Sequence, residues 1–291
     1  MKKTIQCFLA LVALLFLSVG AYAQVTTSSL GGKITDEKGD AAVGVTVLAT
    51  HVPSGTVYAA VTNNDGRYTI QGMRIGGPYK VEVSYIGYQT MSFTDITLQL
   101  GDLYNLSAKL QEETVQLEDI VIVASASSAF AGEKFGSSTN ISNRNIQSLP
   151  TISRSITDVA KLSPYGGNGM SFAGGDGRSS NFTVDGANFN NNFGLSSNLP
   201  GGGTPISIDA IEEVQVVIAP FDVRQTNFIG GGVNAITKSG TNTLKGSAYA
   251  YHRNENMRGN TVDGVELGER GIDRNTTYGL TLGGPIVKNK L

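Results

Sequence analysis

The sequence predicts a mainly β protein: a small all-β sandwich, then a mixed α+β domain, then the first strands of a transmembrane β-barrel. Three observations carry this expectation. Short alternating runs recur between Leu30 and Leu110, each closed by a turn signal such as Asp36-Glu37-Lys38-Gly39 or Asn63-Asn64-Asp65-Gly66, and strands spaced every 8–12 residues or so are the mark of a sandwich. Two capped helical stretches lie between Asn140 and Tyr165. From Leu244 the alternating runs lengthen toward the roughly 9–11 residues of a membrane strand.

The chain has 291 residues, with 37 Gly, no Trp, and 22 basic against 24 acidic residues for a net charge of −2. That balance implies no nucleic-acid patch. Met1 to Ala23 carries Lys2-Lys3, an apolar run from Phe8 to Val19, and Ala21-Tyr22-Ala23 before Gln24, the order of a secretory signal peptide cleaved after Ala23. The run is shorter than the roughly 20 apolar residues that span a bilayer as a helix. The single cysteine, Cys7, falls inside this segment, so residues 24–291 offer no disulfide, thiol or Cys-based metal chemistry. His51 and His252 fall in different units without a Ser or carboxylate arrangement beside them. No cofactor, metal site or catalytic set is expected.

The first domain is expected over 24–112. Tyr79, Val81, Val83 and Tyr85 fall on one face of a strand, and Lys80, Glu82 and Ser84 on the other, the period of a sheet with one face on a core and one in water. Oxygen-bearing Asn63-Asn64-Asp65-Gly66 invites a calcium reading, but the spacing of an EF-hand loop is absent, and Asp-Gly between two apolar runs is the stronger hairpin signal.

A linker is expected over 113–128, where QLEDIVIVASASS passes from acidic to β-branched to small residues. Glu118, Asp119, Ile120, Val121, Ile122 and Val123 suit a strand that adds to an exposed sheet edge through main-chain hydrogen bonds. The same residues read equally as a linker strand packed on a neighbouring domain.

Between 129 and 242 a mixed domain is expected. Ser142 can cap a turn holding Ile146 and Leu149 before Pro150, and Ser155 opens a capping box with Asp158. Phe182, Val184 and the Asp185-Gly186 turn follow in a Gly- and Asn-rich stretch with no Gly-Lys-Ser/Thr triplet, which argues against a phosphate loop. Asn188, Phe189, Asn190, Asn191, Asn192 and Phe193 offer amides and aromatic faces suited to a sugar or a peptide. They also read as a turn-rich loop that exploits the tolerance of Asn for left-handed backbone. An Asp209 cap leads into a strand through Val214, Val216, Val217 and Ile218 that Pro220 ends. After Gly230-Gly231-Gly232 a second strand alternates Val233, Ala235 and Thr237 with Asn234, Ile236 and Lys238.

Over 243–291 two barrel strands are expected, apolar and aromatic outside and small or polar inside. Tyr249 and Tyr251 oppose Gly246, Ala248 and Ala250, and Tyr278, Leu280 and Leu282 point outward; this sets both tyrosines on the outer side. Asn254 to Asn275 is the expected first extracellular loop, and Gly284 to Lys290 the turn at the periplasmic side.

The order IEEVQV, a Pro-containing turn and GGGVNAITKSGTN, with LPT, SITDVAKLSP and FTVDG before it, resembles the plug of TonB-dependent outer-membrane receptors. Ala219 to Gln225, in place of the usual Arg-Gly-Pro, is similar to the Oar-like branch of that family. GKITDEKGDAAVGVTV, TNNDGRYTI and YKVEVSYIGY resemble the transthyretin-like carboxypeptidase regulatory-like domain that precedes such plugs. The resemblance implies a plugged barrel of about 22 strands in the outer membrane, with sandwich and plug on the periplasmic side. It further implies outer-membrane lipid, an extracellular ligand and a TonB-type periplasmic energy transducer as partners, the last gripping a box for which Glu118 to Val123 is the candidate. The alternative is a secreted or surface β-sandwich binding module without transport.

Overall fold

The computed structural model describes residues 25–112, 120–123, 132–133, 136–148, 154–191, 199, 205–220, 222, 224–257, 259–268 and 271–288. The signal-peptide expectation for Met1 to Ala23 lies outside them. Two compact units divide the chain, one running through Lys238 without the loop Val52–Thr56 and the other starting at Ser239.

The first part of the larger unit is the sandwich. Its strands are β1 (Ser28–Thr35), β2 (Thr46–His51), β3 (Thr56–Val61), β4 (Arg67–Met73), β5 (Gly76–Ser84), β6 (Met91–Leu98), β7 (Leu103–Asn105), β8 (Ala108–Lys109), β9 (Ile120–Val123) and β10 (Gly132–Glu133). One sheet runs β10-β7-β1-β4 with β8 also on β1, and the other β3-β2-β5-β6-β9. The alternation read from β5 holds: Tyr79, Val81 and Val83 are fully buried while Lys80 and Ser84 are exposed. They meet Leu30, Ile34, Ile70 and Met73 of the facing sheet. Buried phenols need partners, and Tyr68 and Tyr79 donate to the carbonyls of Leu106 and Arg74 at 2.8 and 2.7 Å. The Asn63 to Gly66 segment is a turn: Asn63 Oδ1 accepts from the N–H groups of Asp65 and Arg67, and Gly66 takes φ +72°. At Gly32 the backbones of β1 and Leu106 lie so close that a Cβ would run into the Leu106 carbonyl.

A second sheet follows, built from β11 (Gly136–Ser142), β12 (Asn181–Val184), β13 (Ala187–Asn188), β14 (Ile211–Pro220) and β15 (Gly232–Thr237), in the order β11-β14-β15-β12-β13. Two short helices, Asn143–Ser148 and Ile156–Ala160, bury Ile146, Ile156 and Val159 against the sheet face of Ile141, Val214, Val216, Val233 and Ala235. The cap at Ser155 is as expected, its side chain accepting from the Thr157 N–H. The cap before β14 is not. Ser207, rather than Asp209, caps the short 3-10 turn Ile208–Ala210, because the Asp209 carboxylate is taken by Arg154 at 2.6 Å, both side chains largely buried.

β14 and β15 bury both faces, against the alternation expected of β15. The reason is a second covering layer. Ile236 packs with Val25, Ile75 and Leu100 of the sandwich, so the face that sequence alone assigns to water is a junction.

In the smaller unit β16 (Lys245–Arg253) pairs antiparallel with β19 (Asn275–Gly283), and β17 (Thr261–Val262) with β18 (Val265–Glu266) make a small hairpin inside the connecting segment. Asp263 and Gly264, both at positive φ, form its turn; the Asp-Gly pair was the available signal. The β16–β19 register corrects one expectation. Gly246, Ala248 and Ala250 lie opposite Leu282, Leu280 and Tyr278, whereas Tyr249 and Tyr251 lie opposite Gly279 and Thr277. Directly paired residues share a face, so the two tyrosines stand on the side opposite Tyr278, Leu280 and Leu282. One face is apolar throughout its middle; the other carries Ser247, Tyr249, Tyr251, Thr277 and Thr281. Tyr249 lies over Gly279, where a Cβ would run into its ring.

Candidate functional site

Of the six residues proposed from sequence for partner binding, Glu118 and Asp119 lie outside the described residues. Ile120, Val121, Ile122 and Val123 form β9, whose β-branched run suits extended backbone. It pairs parallel with β6 in the register Met91↔Ile120, Ser92↔Val121, Phe93↔Ile122, Thr94↔Val123. Among the described residues the segment is therefore the last strand of that sandwich sheet.

The Asn-rich candidate loop begins on the second sheet. β12 ends in the turn at Asp185 and Gly186, both at positive φ, and Asp185 is fixed by accepting from the N–H and hydroxyl of Thr237 at 2.9 and 2.7 Å. Asn188 Oδ1 accepts from the Asn190 N–H at 2.7 Å; Asn190 accepts from the Phe182 N–H at 2.6 Å and donates to Asn181 Oδ1 at 2.8 Å. Both ends of the Asn190 amide are thus engaged in shaping the loop. Phe189 stacks edge-on against buried Phe182 with 6.4 Å between centroids and remains 37 % exposed. Asn191 is partly buried, and Asn192 and Phe193 lie outside the described residues.

The structure adds a constellation that no sequence motif announces. Asn140, Gln215, Asn234 and Thr183 are direct neighbours across β11, β14, β15 and β12, forming a polar row on the face that meets the sandwich. The Thr183 hydroxyl donates to Asn234 Oδ1 at 2.8 Å, and Gln215 Nε2 donates to the Leu100 carbonyl at 2.7 Å. Thr183 is also opposite Asn188, so the row runs from the sandwich to the Asn-rich loop. Beside it Glu213, only 4 % exposed, accepts from the Leu100 N–H at 3.0 Å and from Asn140 Nδ2 at 2.7 Å. Burial pushes its carboxyl up to about 7; the two hydrogen bonds oppose this, and the charges of Asp102 and Glu212 add to it. A cavity of about 620 Å³ lies at the same junction, lined by Gly77, Asp95, Thr97, Tyr104, Arg144 and Glu212 among others. Among the described residues no group of three or more His, Cys, Asp or Glu is placed to hold a metal ion.

Comparison with known proteins places these parts. The carboxypeptidase regulatory-like domain family matches residues 29–111, and the outer membrane beta barrel domain family matches residues 236–291. The TonB-dependent transporter Oar of Myxococcus xanthus is 25 % identical over 295 residues, covering 93 % of this chain and 26 % of the relative. The chain thus spans about a quarter of the length of that relative. Among solved structures, the siderophore receptor PirA from Pseudomonas aeruginosa is similar at 19 % identity with a TM-score of 0.39, over 53 % of this chain and 26 % of that one. Catechol 1,2-dioxygenase from Acinetobacter radioresistens is similar at 14 % identity with a TM-score of 0.25, over 36 % and 60 %. The chain thus carries a match to a regulatory-like domain over 29–111 and a match to an outer-membrane β-barrel domain over 236–291. Together the two domains and the similarity to Oar support a TonB-dependent receptor, located in the outer membrane.

Proposed function

We propose that this chain is the front of an energy-coupled transporter, in which the second sheet domain, over 129–242, is a plug that gates a barrel beginning at 243. The observation that carries the reading is the β16–β19 hairpin: its apolar face holds Tyr278, Leu280 and Leu282 at 81 %, 80 % and 76 % exposure. Such a face is costly in water and suited to lipid, while the polar face suits a lumen. A TonB-type energy transducer in the periplasm is the proposed partner, gripping Glu118 to Val123 as an added strand. The cargo is proposed to be an oligosaccharide or a peptide, met on the outer side by Phe189 and its Asn-rich loop.

The test is uptake of labelled oligosaccharides and peptides by cells with and without the gene, each with and without a protonophore. The reading expects at least one cargo whose entry needs both the gene and an energised membrane. Equal entry in all four conditions across the panel contradicts it.

A further inference from the structure

We propose that the cavity at the junction of the sandwich and the second sheet binds a primary ammonium group, carried by a free amine or by a lysyl side chain, with the Glu213 carboxylate at its floor and Glu212 beside it. The proposal is independent of what the barrel carries and of what grips the linker.

The cavity, of about 620 Å³, has room for a short diamine or a single long side chain, and its walls come from both domains. Exposure orders its charged groups by depth: Glu213 is 4 % exposed, Glu212 is half-buried, and Asp95 and Arg144 are exposed at the rim. Three carboxylates against one guanidinium favour a cation. Both hydrogen bonds that Glu213 receives, from the Leu100 N–H and Asn140 Nδ2, fall on Oε1. Among the described residues Oε2 accepts none and Glu213 makes no ion pair. A buried carboxylate oxygen with neither donor nor counter-charge is costly. Burial, with the charges of Asp102 and Glu212, accordingly pushes the Glu213 carboxyl up to about 7. A cation bearing N–H groups supplies both the donor and the charge. One free oxygen suits a compact ammonium, whereas the fork of a guanidinium is matched to two. Asp95 is brought to the rim by a bulge, since Phe93 and Ile96 of β6 face Val81 and Tyr79, two intervening residues against one, with Asp95 at φ +62°. Across from Glu212 the wall is Gly76, where a Cβ would stand 3.1 Å from Glu212 Oε1. Glu212 and Glu213 belong to the second sheet and Asp95 to the sandwich, so a bound amine ties the two domains together.

The test is calorimetric titration of the full-length receptor in detergent with cadaverine, with N-acetyl-lysine methylamide, and with neutral pentanediol as the control. The proposal expects saturable binding of at least one of the two amines at sub-millimolar concentration and none of the diol. Cadaverine alone assigns the site to a free amine, and the lysine derivative to a side chain of a peptide; either outcome supports it. Between pH 8 and pH 6 the ionised fraction of a carboxyl near 7 falls about tenfold while the amine stays protonated, so affinity should fall by about that factor. Glu213→Gln should bind at least tenfold more weakly and lose the pH dependence. Glu212→Gln, at a half-buried position that tolerates the change, should also weaken binding and carries the test if Glu213→Gln does not fold. Arg144→Gln should bind the amine as tightly as the wild type or more tightly. Binding of neither amine overturns the proposal, as does affinity unchanged in both glutamate variants. Loss of binding in Arg144→Gln overturns it too, since that would make the site one for an anionic group.

Discussion

Glu213 of β14 and Leu100, in the turn that follows β6, stand 113 residues apart in sequence, yet the buried carboxylate accepts the Leu100 N–H at 3.0 Å. This bond, with Gln215 on the Leu100 carbonyl, ties the regulatory-like sandwich to the second sheet, and the burial of Glu213 makes its charged form costly there.

The folded pKa of Glu213, about 7, lies above its ordinary value of 4.5. A group raised in this way gives stability that is full below the unfolded pKa and is lost as pH rises through the folded one. The loss is at most about 3 kcal/mol. A fragment spanning residues 24–242 should therefore unfold at lower urea at pH 8 than at pH 5, and Glu213→Gln, which stays neutral, should flatten that difference. An unchanged difference in Glu213→Gln would assign it to other groups.

Gln215→Leu removes a donor to Leu100 and the acceptor of Asn234 and Gln225, contacts at 2.7, 3.4 and 3.4 Å. Leaving buried polar groups unpaired costs about 1–3 kcal/mol. Urea unfolding of the same fragment should show a loss in that range, since the Leu100 carbonyl retains the Asn140 amide at 3.2 Å. A neutral substitution would mean that the row is hydrated rather than packed.

Gly32→Ala places a methyl group against the Leu106 carbonyl. The neighbour is backbone, fixed by the Leu106 N–H to Gly31 carbonyl bond of 2.7 Å, so a rotamer change cannot relieve it. The sandwich should lose stability near the upper end of about 1–3 kcal/mol. A chemical-denaturation curve like that of the wild type would show that β1 and Leu106 can separate without cost.

The hairpin faces predict an asymmetry. In the full-length receptor Leu280→Lys, on the apolar face, should impair outer-membrane assembly, as charges in the lipid-facing band cost up to about 2–4 kcal/mol. Thr281→Lys and Tyr249→Lys, on the opposite face, should assemble normally. Heat-modifiable mobility in outer-membrane fractions reads this out, and the reverse order would exchange lipid and lumen.

The parts legible in the sequence were those set by local chemistry. The Tyr79-Val81-Val83 alternation, the Asn63 to Gly66 turn, the Ser155 cap and the strand end at Pro220 each depend on residues within a few positions of one another. The rest depends on pairing between distant segments. Tyr249 and Tyr251 were given the wrong face because a strand's period of two defines two faces without naming them, and only the register with β19, across Asn254 to Arg274, decides. Asn140, Gln215, Asn234 and Thr183 each read singly as a polar residue facing water. Their row exists only once four strands are aligned and the sandwich covers them. Glu213, part of the IEEVQV motif, carried no sign of burial because its partners, the Leu100 N–H and the Asn140 amide, lie 113 and 73 residues away in sequence. The candidate ligand loop was legible as a turn, and its amides at Asn188 and Asn190 are engaged in making that turn.

The central claim is that the segment ending in β9 couples the receptor to energy, and Val121→Pro in the full-length receptor tests it most directly. Proline removes one main-chain donor and restricts Ile120 before it. Outer-membrane abundance, cargo binding at the cell surface and energised uptake are measured side by side. The account predicts normal abundance and binding with uptake reduced to the level of de-energised cells. Reduced abundance would make β9 a structural strand alone, and normal abundance with unimpaired uptake would contradict the claim.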